Sequence, residues 1–157
     1  MIVTFKQLYL CEKKVVLVDG CFDPLHIGHI EYFKFAASFG LPVLCNVEND
    51  DYIEKYKHRP NLLPAYQRIV IVDSIRYISF THLQTTSTCD VILKVKPVKY
   101  IKGADWDEKK LPKNEIEACK KYGIEIEYMD KNLDSSSELL INFIKKFSKF
   151  TKNNLLK

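Results

Sequence analysis

The sequence has little of what disulfide-linked, metal-dependent or membrane-spanning proteins are built from. Its five cysteines, at positions 11, 21, 45, 89 and 119, are odd in number and contain no C-x-x-C pair. That arrangement argues against both a disulfide framework and a zinc site. No run approaches the ~20 apolar residues that a membrane span requires, and the N-terminus lacks the long apolar stretch of a signal peptide. The sequence therefore predicts a cytoplasmic protein with no membrane partner.

A strong excess of one charge is also missing. Lysine and arginine number 24 against 20 aspartates and glutamates, which gives a net charge of +4. Much of this excess lies between Lys145 and Lys157, where a solvated basic helix end explains it as well as nucleic-acid binding does. No appended basic domain is present to hold RNA. We predict no nucleic-acid partner, although a mildly basic chain suits a phosphate-rich ligand.

What the chain does contain is a regular alternation of strand and helix patterns. Short apolar, β-branched runs at 14–20 and 41–47 are typical of strands buried on both faces of a parallel sheet. Further strands are predicted at 77–80, 100–103 and 124–129, and helices at 30–39, 66–76, 87–94, 114–122 and 135–147. The alternation predicts an α/β fold with helices on both faces of a parallel sheet. We expect one domain over residues 1–150, a long surface loop at 50–64 and a frayed basic tail at 151–157.

The sharpest motif directly follows the first predicted strand and opens the first predicted helix. It reads Gly20-Cys21-Phe22-Asp23-Pro24-Leu25-His26-Ile27-Gly28-His29. In a doubly wound sheet, ligands bind beyond the carboxyl ends of the strands, where a helix start offers free N–H groups to phosphate. His26 and His29 point the same way on a helical turn, and Gly28 lets a phosphate approach the backbone. Two imidazoles aimed at one point can donate hydrogen bonds to charge that grows as a phosphate–phosphate bond breaks.

Two other interpretations of the histidine pair stay open at this point. Loop histidines can satisfy nearby carbonyl groups, and a His–His pair can bind a metal ion. A metal would find only Asp23 as an obvious third ligand nearby, so the position after a strand and a G-x-F-D sequence favours phosphate binding. We predict no metal site built from protein ligands.

Cationic residues follow the second predicted strand. Lys55, Lys57 and Arg59 cluster in the segment 50–64, and Arg68 lies in the first turn of the next predicted helix. Any one of them alone is more often a solvated surface charge. As a set beyond strand ends, next to H-x-G-H, they favour phosphate contacts, because phosphoryl and nucleotidyl transfer depend on positioning and charge neutralisation. Lys57 and Arg68 are the strongest candidates.

Two later segments are predicted to reach the same crevice. Lys102, Gly103 and Asp105 follow a predicted strand, and Trp106 next to them is suited either to stack on a base or to pack in the core. The last predicted helix begins with three consecutive serines: Ser135, Ser136 and Ser137. Helix capping accounts for one of them, and three together with free N–H groups also suit a phosphate.

These motifs resemble those of the cytidylyltransferase-like nucleotidyltransferases. The segment 20–29 matches their signature G-x-F-D-x-x-H-x-G-H, and the similarity extends over about residues 14–144. Lys57-His58-Arg59-Pro60 with Gln67-Arg68 is similar to a stretch of the ADP-heptose synthases. The segment 101–106 resembles both those enzymes and glycerol-3-phosphate cytidylyltransferase, and the three serines take the place of the family's S-T-T.

The resemblance implies a Rossmann-like, doubly wound three-layer sandwich and a nucleotidyltransferase activity with release of pyrophosphate. His26, His29, Lys57 and Arg68 would be catalytic. Residues around the nucleotide would be Gly20, Cys21, Phe22, Asp23, Gly28, Lys55, Lys102, Gly103, Asp105, Ser135, Ser136 and Ser137. Mg²⁺ would accompany ATP or CTP, the second substrate would be a phosphorylated small molecule, and the protein would be a homodimer.

Several functions remain open within this prediction. The resemblance favours adenylyl transfer to a sugar phosphate of the heptose 1-phosphate type. A CTP-dependent enzyme of the glycerol-3-phosphate type is the main alternative, and pantetheine-phosphate adenylyltransferase fits less well because it carries T-x-G-H where this chain has His26. A nucleotide-binding sensor without turnover is the alternative from another class, and an RNA-binding relative of the synthetases is the weakest.

Overall fold

The computed structural model describes residues 1–130 and 135–154. In this part of the chain one sheet contains six parallel strands in the order β1-β4-β3-β2-β5-β6. The strands are β1 (Ile2–Val3), β2 (Val16–Gly20), β3 (Val43–Val47), β4 (Phe80–Leu83), β5 (Lys99–Lys102) and β6 (Glu125–Tyr128). β2 lies between β3 and β5, so the chain winds outward from it in both directions and opens a crevice at its carboxyl end.

Helices cover both faces of the sheet. A 3-10 helix at Phe5–Cys11 precedes α1 (Ile27–Ala37), α2 (Asp50–Lys57), α3 (Ala65–Asp73), α4 (Thr88–Val95), α5 (Lys113–Tyr122) and α6 (Ser136–Asn154). No helix within the described ranges is both long and apolar enough to cross a membrane.

The core divides into two clusters because successive side chains of a strand point to opposite faces. Val16 and Val18 of β2 pack with residues of α1 and α3. Leu17 faces the other way and packs with the 3-10 helix, α4 and α5. The two clusters confirm the predicted three-layer α/β arrangement.

The segment 50–64, predicted to be a loop, instead begins with a helix. The side chain of Asn49 caps α2 by accepting a hydrogen bond from the backbone N–H of Tyr52 at 2.9 Å. Asp50 and Asp51 lie in the first turn and lysines in the last, an order that suits the helix dipole. Ile53 is the one buried residue of α2, so the apolar periodicity that marks most helices is too weak to reveal this one.

Other predicted boundaries also shift. β4 covers Phe80–Leu83 rather than 77–80, and the sequence patterns do not reveal β1 or the 3-10 helix. α6 continues to Asn154, through part of the tail expected to fray, and residues 155–157 of that tail lie outside the described residues.

Candidate functional site

A crevice of about 840 Å³ opens at the carboxyl edge of the sheet. Its walls come from the ends of β2, β3, β4 and β5, the start of α1, one side of α2 and the start of α6. All the predicted site residues line it except Asp23 and Arg68. The volume falls within the range of small-molecule sites.

The two motif histidines form one rigid unit at the start of α1. His26 is the N-cap residue, and its Nδ1 accepts a hydrogen bond from the N–H of Gly28 at 3.1 Å. Nδ1 of His29 accepts in turn from the N–H of His26 at 3.3 Å. The rings stack with centroids 3.8 Å apart and planes inclined by 29°. The ring of Phe22 packs edge-on against His29 with centroids 5.0 Å apart.

These contacts fix where the imidazole protons lie. A ring nitrogen that accepts a hydrogen bond carries no proton, so each neutral ring bears its proton on Nε2. Burial, with a smaller contribution from His26, lowers the pKa of His29 to about 3. At neutral pH His29 is therefore an uncharged hydrogen-bond donor through Nε2, not a base.

The glycine and cysteine that open the motif serve the packing of this turn. A Cβ at Gly20 would lie 3.0 Å from Cζ of Phe22, so glycine lets the aromatic ring lie close to the strand end. Burial raises the pKa of the Cys21 thiol to about 11, which keeps it protonated and unreactive.

Asp23 anchors a loop instead of facing the crevice. Its fully buried carboxylate accepts hydrogen bonds from the N–H groups of Leu62 at 2.8 Å and Leu63 at 2.9 Å. Nη1 of Arg59 lies 2.9 Å from Oδ2 of Asp23, and Nη2 of Arg59 donates to the Asp23 carbonyl. The carboxylate thus fastens the segment after α2 to the turn before His26.

Arg68 is likewise occupied by the protein itself. Its side chain is 1% exposed. Nη1 donates to the carbonyls of Cys21 at 2.6 Å and Glu48 at 2.8 Å, and Nε donates to that of Leu63 at 3.0 Å. Nη2 lies 2.7 Å from Oδ1 of Asp50. This geometry does not support the predicted contact between Arg68 and a triphosphate. Arg68 instead connects three loops through their backbone carbonyls.

The lysines of α2 occupy the position expected of phosphate ligands. Lys55 and Lys57 are exposed, line the crevice and form no ion pair with any described residue. Nζ of Lys55 lies 5.1 Å from the ring centroid of Tyr56. These ammonium groups, on the same side of the crevice opening as Arg59, can neutralise an anionic ligand.

Lys102 lies in the crevice wall, but its charge is already balanced. Its Nζ is 2.7 Å from Oδ1 of Asp19, and both side chains are almost fully buried. The same ammonium lies 4.1 Å from the ring centroid of Trp106. A Cβ at Gly103 would lie 2.8 Å from Oδ1 of Asp105, so glycine allows the chain to turn closely there.

The serines at the start of α6 contact the histidine motif. The hydroxyl of Ser136 donates to the carbonyl of Pro24 at 3.0 Å, and Ser135 immediately precedes the helix. Ser135, Ser136 and Ser137 all line the crevice. The N-terminus of α6 therefore faces the same space as that of α1.

An acidic group at the inner end of the crevice is absent from the residues predicted by sequence. Asp19, Glu48 and Glu115 all line the crevice and surround Lys102, and we call these three carboxyl groups the acid floor. Burial, followed by the charge of Asp19, raises the pKa of Glu48 to about 8 and that of Glu115 to about 7. A signal existed, because Asp19 and Glu48 each fall at the end of a buried parallel strand.

Tyr100 connects two members of the acid floor. Its hydroxyl oxygen lies 2.9 Å from Oδ2 of Asp19 and 3.1 Å from Oε2 of Glu115, and it accepts from Nζ of Lys102 at 3.1 Å. A phenol has one proton to donate, so one of the two carboxyl contacts needs a proton from the carboxyl side. Because Asp19 is paired with Lys102 and the pKa of Glu115 is raised to about 7, Glu115 supplies that proton in the fraction of molecules in which it is protonated.

The fold and the crevice together define a Rossmann-like α/β protein with a histidine- and lysine-lined crevice at the carboxyl edge of its sheet. The chain belongs to the cytidylyltransferase-like family, whose model matches residues 17–149. Both the family resemblance and the fold class predicted from the sequence are thereby confirmed.

Curated relatives of this chain include FAD synthases and bifunctional HldE proteins. The chain is 34% identical over 94 residues to the FAD synthase of Pyrococcus abyssi, covering 59% of this chain and 64% of that protein. It is 29% identical over 114 residues to the bifunctional protein HldE of a Nitratiruptor species, covering 71% of this chain and 24% of that protein. The chain thus spans less than two thirds of the length of either relative.

A solved structure supports the fold. The lipopolysaccharide core biosynthesis protein from Thermoplasma volcanium GSS1 superposes with a TM-score of 0.66 at 22% identity, covering 76% of this chain and 98% of that one. At this level of identity the likeness concerns the fold alone.

Proposed function

We propose that the protein is a nucleotidyltransferase that transfers a nucleoside monophosphate from ATP or CTP to a phosphorylated small molecule and releases pyrophosphate. The observation that carries this proposal is the stacked pair of His26 and His29, which lines the crevice at the start of a helix. Family membership and the lysines of α2 support it.

The chemistry suits these groups. An oxygen of the acceptor phosphate attacks the α-phosphorus, the bond from that phosphorus to the bridging oxygen breaks, and the electron pair leaves with pyrophosphate. Imidazole N–H groups at this point donate hydrogen bonds to the growing negative charge, and Lys55 and Lys57 neutralise the departing β- and γ-phosphates. No covalent enzyme intermediate is needed, which agrees with the protonated thiol of Cys21.

Magnesium would enter with the triphosphate. Within the described residues, no group of three or more histidine, cysteine, aspartate or glutamate side chains is placed to hold a metal ion. Such a surrounding fits a cation that takes its ligands chiefly from phosphate oxygens and water.

The finer assignment we propose is adenylyl transfer to a sugar phosphate of the heptose 1-phosphate type. The similarity to HldE supports it, and the similarity to FAD synthase adds FMN, which a single adenylyl transfer converts into FAD, as an acceptor to test. Asp105-Trp106 keeps CTP with glycerol 3-phosphate as the alternative. The homodimer that the resemblance implies stays a prediction that light scattering would test.

A substrate matrix tests the proposal. Four nucleoside triphosphates are combined with heptose 1-phosphate, FMN, glycerol 3-phosphate and aminoethyl phosphate, and pyrophosphate release is measured. We expect one pair to react and His29→Ala to abolish most of that rate, whereas His58→Asn, at an exposed histidine outside the crevice, leaves it unchanged. Triphosphate binding without turnover across the whole matrix would instead identify a nucleotide sensor.

A further inference from the structure

The side chain of Glu48 is buried at the crevice wall, and one of its carboxyl oxygens has no hydrogen-bond partner among the residues that the structure describes. The side chain is 4% exposed, and its Oε2 contacts no donor among the described residues. Its backbone is fixed on both sides, because its N–H donates to the carbonyl of Gly20 at 3.0 Å and its own carbonyl accepts from Arg68. A buried polar group held in this way is costly unless something pairs with it, and the open side of the site is the crevice.

The charged and titratable groups around Glu48 leave the acid floor with little net charge. Asp19 is neutralised by Lys102 at 2.7 Å, and Oε2 of Glu115 lies 3.1 Å from the hydroxyl oxygen of Tyr100. Burial raises the pKa of Glu48, and the charge of Arg68 opposes that rise. Burial, followed by the charge of Glu48, in turn raises the pKa of Cys21 and of Tyr52. Because its pKa is raised to about 8, Glu48 is mostly protonated at neutral pH. A protonated carboxyl offers one donor and one acceptor.

Neutral polar groups complete the surroundings. Gln84 and Thr88, on the β4 side, line the crevice, and Oε1 of Gln84 accepts from the hydroxyl of Thr88 at 3.0 Å and from the amide of Asn46. These contacts use only the oxygen of the Gln84 amide and not its Nε2–H groups. Asn114 lies on the other side, next to Glu115. Such a mixture of donors and acceptors matches hydroxyl groups, which both donate and accept.

The crevice therefore has two ends of opposite character. His26, His29 and the lysines of α2 favour phosphate, whereas the acid floor has no cation to offer it, since the charge of Lys102 is already balanced by Asp19. A ligand that occupies both ends must place its phosphate at the first and its uncharged portion at the second. An ammonium group is favoured less, because Asp19 already has a partner and because burial raises the pKa of Glu48 to about 8 and that of Glu115 to about 7.

We propose that the acid floor binds the polyhydroxylated part of the acceptor, and that Glu48 selects acceptors by exchanging hydrogen bonds with their hydroxyl groups. The acceptor class is then a phosphate ester of a polyol or sugar. This inference rests on the proposed function for its role in turnover, but the binding preference can be measured without turnover.

The test compares four phosphates by calorimetry without nucleotide: glycerol 3-phosphate, a hexose 1-phosphate, propyl phosphate and aminoethyl phosphate. We expect at least one hydroxylated ester to bind roughly 10-fold or more tightly than propyl phosphate, as for loss of a paired buried hydrogen bond. Glu48→Leu should bring that ratio close to one, Glu48→Gln should keep most of it, and Glu54→Leu, on the exposed face of α2, should not change it.

Melting temperatures of the variants establish that each is folded before its binding is compared. Equal binding of the hydroxylated and propyl esters by the wild type would overturn the inference, as would a ratio that survives Glu48→Leu. Preferred binding of aminoethyl phosphate that Glu48→Leu removes would make the floor a cation site instead. A hydroxyl preference without pyrophosphate release in the substrate matrix would leave this inference standing and overturn the proposed function.

Discussion

Oδ1 of Asp50 lies 2.7 Å from Nη2 of Arg68, and Oδ2 of the same carboxylate accepts from the N–H of Ala65 at 3.1 Å. The first residue of α2 is thereby joined to the first turn of α3. Since α2 carries Lys55 and Lys57, which line the crevice, this carboxylate and its arginine help to fix the position of those lysines relative to the histidine turn.

Arg68 and Lys57, paired as catalytic candidates by the sequence, are expected to behave differently on substitution. Arg68→Met leaves three carbonyl oxygens, buried or partly buried, without this donor, which should cost on the order of 3 kcal/mol of unfolding free energy and lower Tm by roughly 10 °C. Lys57→Met should leave Tm nearly unchanged and raise the KM for the triphosphate. Thermal melts and steady-state kinetics on both variants check this, and a folded, stable Arg68→Met with impaired triphosphate use would restore Arg68 to the phosphate site.

The uncharged state of His29 is measurable directly. Its pKa of about 3 predicts that ¹⁵N NMR of the free protein shows the Nε2–H form throughout pH 5–8, without titration. A ring that takes up a proton near pH 6.5 would refute the assignment of the donor.

The same side chain should be necessary for catalysis. His29→Ala is expected to lower kcat by roughly 100-fold or more, as for the loss of one preorganised donor to the transition state. Activity within a few-fold of wild type would remove His29 from the mechanism.

Asp23 should matter through the loop it fastens. Asp23→Asn keeps the size of the side chain but leaves the buried guanidinium of Arg59 without its counter-charge, which should cost about 3–5 kcal/mol. The double variant Asp23→Asn with Arg59→Met should recover part of that loss, since no unpaired charge remains. Denaturant unfolding of both proteins gives the comparison, and an additive effect of the two changes would show that the pair is not coupled.

Glu48 should make the stability of the protein depend on pH. Its pKa in the folded chain, about 8, lies above its ordinary value of 4.5, so between these values the unfolded chain gives up the proton first. Stability contributed by this group is therefore present below about pH 4.5 and is lost as pH rises through 8. Glu48→Gln cannot ionise, and its Tm should exceed that of wild type increasingly from pH 5 to pH 8.

The expected difference at pH 8 is at least about 1 kcal/mol, or roughly 2–4 °C in Tm. Glu115 contributes in the same direction in both proteins, so the difference between their curves reports Glu48. Parallel curves over this range would mean that Glu48 ionises normally.

The sequence identified the parts of the site that depend on local order. The spacing of His26 and His29 after a strand, and the glycines around them, are enough to place the turn at the sheet edge. The three serines reach the same crevice because a helix that follows the last strand of such a sheet starts at that edge.

What the sequence could not supply is the distribution of burial and pairing among like charges. In the sequence Arg68 and Lys57 are both cationic residues after the second strand. In the structure the side chain of Arg68 is 1% exposed, whereas that of Lys57 is exposed to solvent. The acid floor depends on the register of three strands and on α5, which brings Glu115 to Asp19 across a separation no local pattern encodes. The local pattern, an acidic residue at the end of each of two buried strands, indicates only Asp19 and Glu48 of the three carboxyl groups.

The buried carboxylate of Asp23 has a mechanical consequence. Asp23 lies three residues before His26 and binds the segment that follows Lys57. The lysines of α2 and the two imidazole rings are therefore connected through the same carboxylate. If the lysines move when a polyanion binds, we expect that movement to be transmitted through Asp23 to the turn that carries His26. Loading the crevice should stiffen both regions together, as one unit, rather than one after the other.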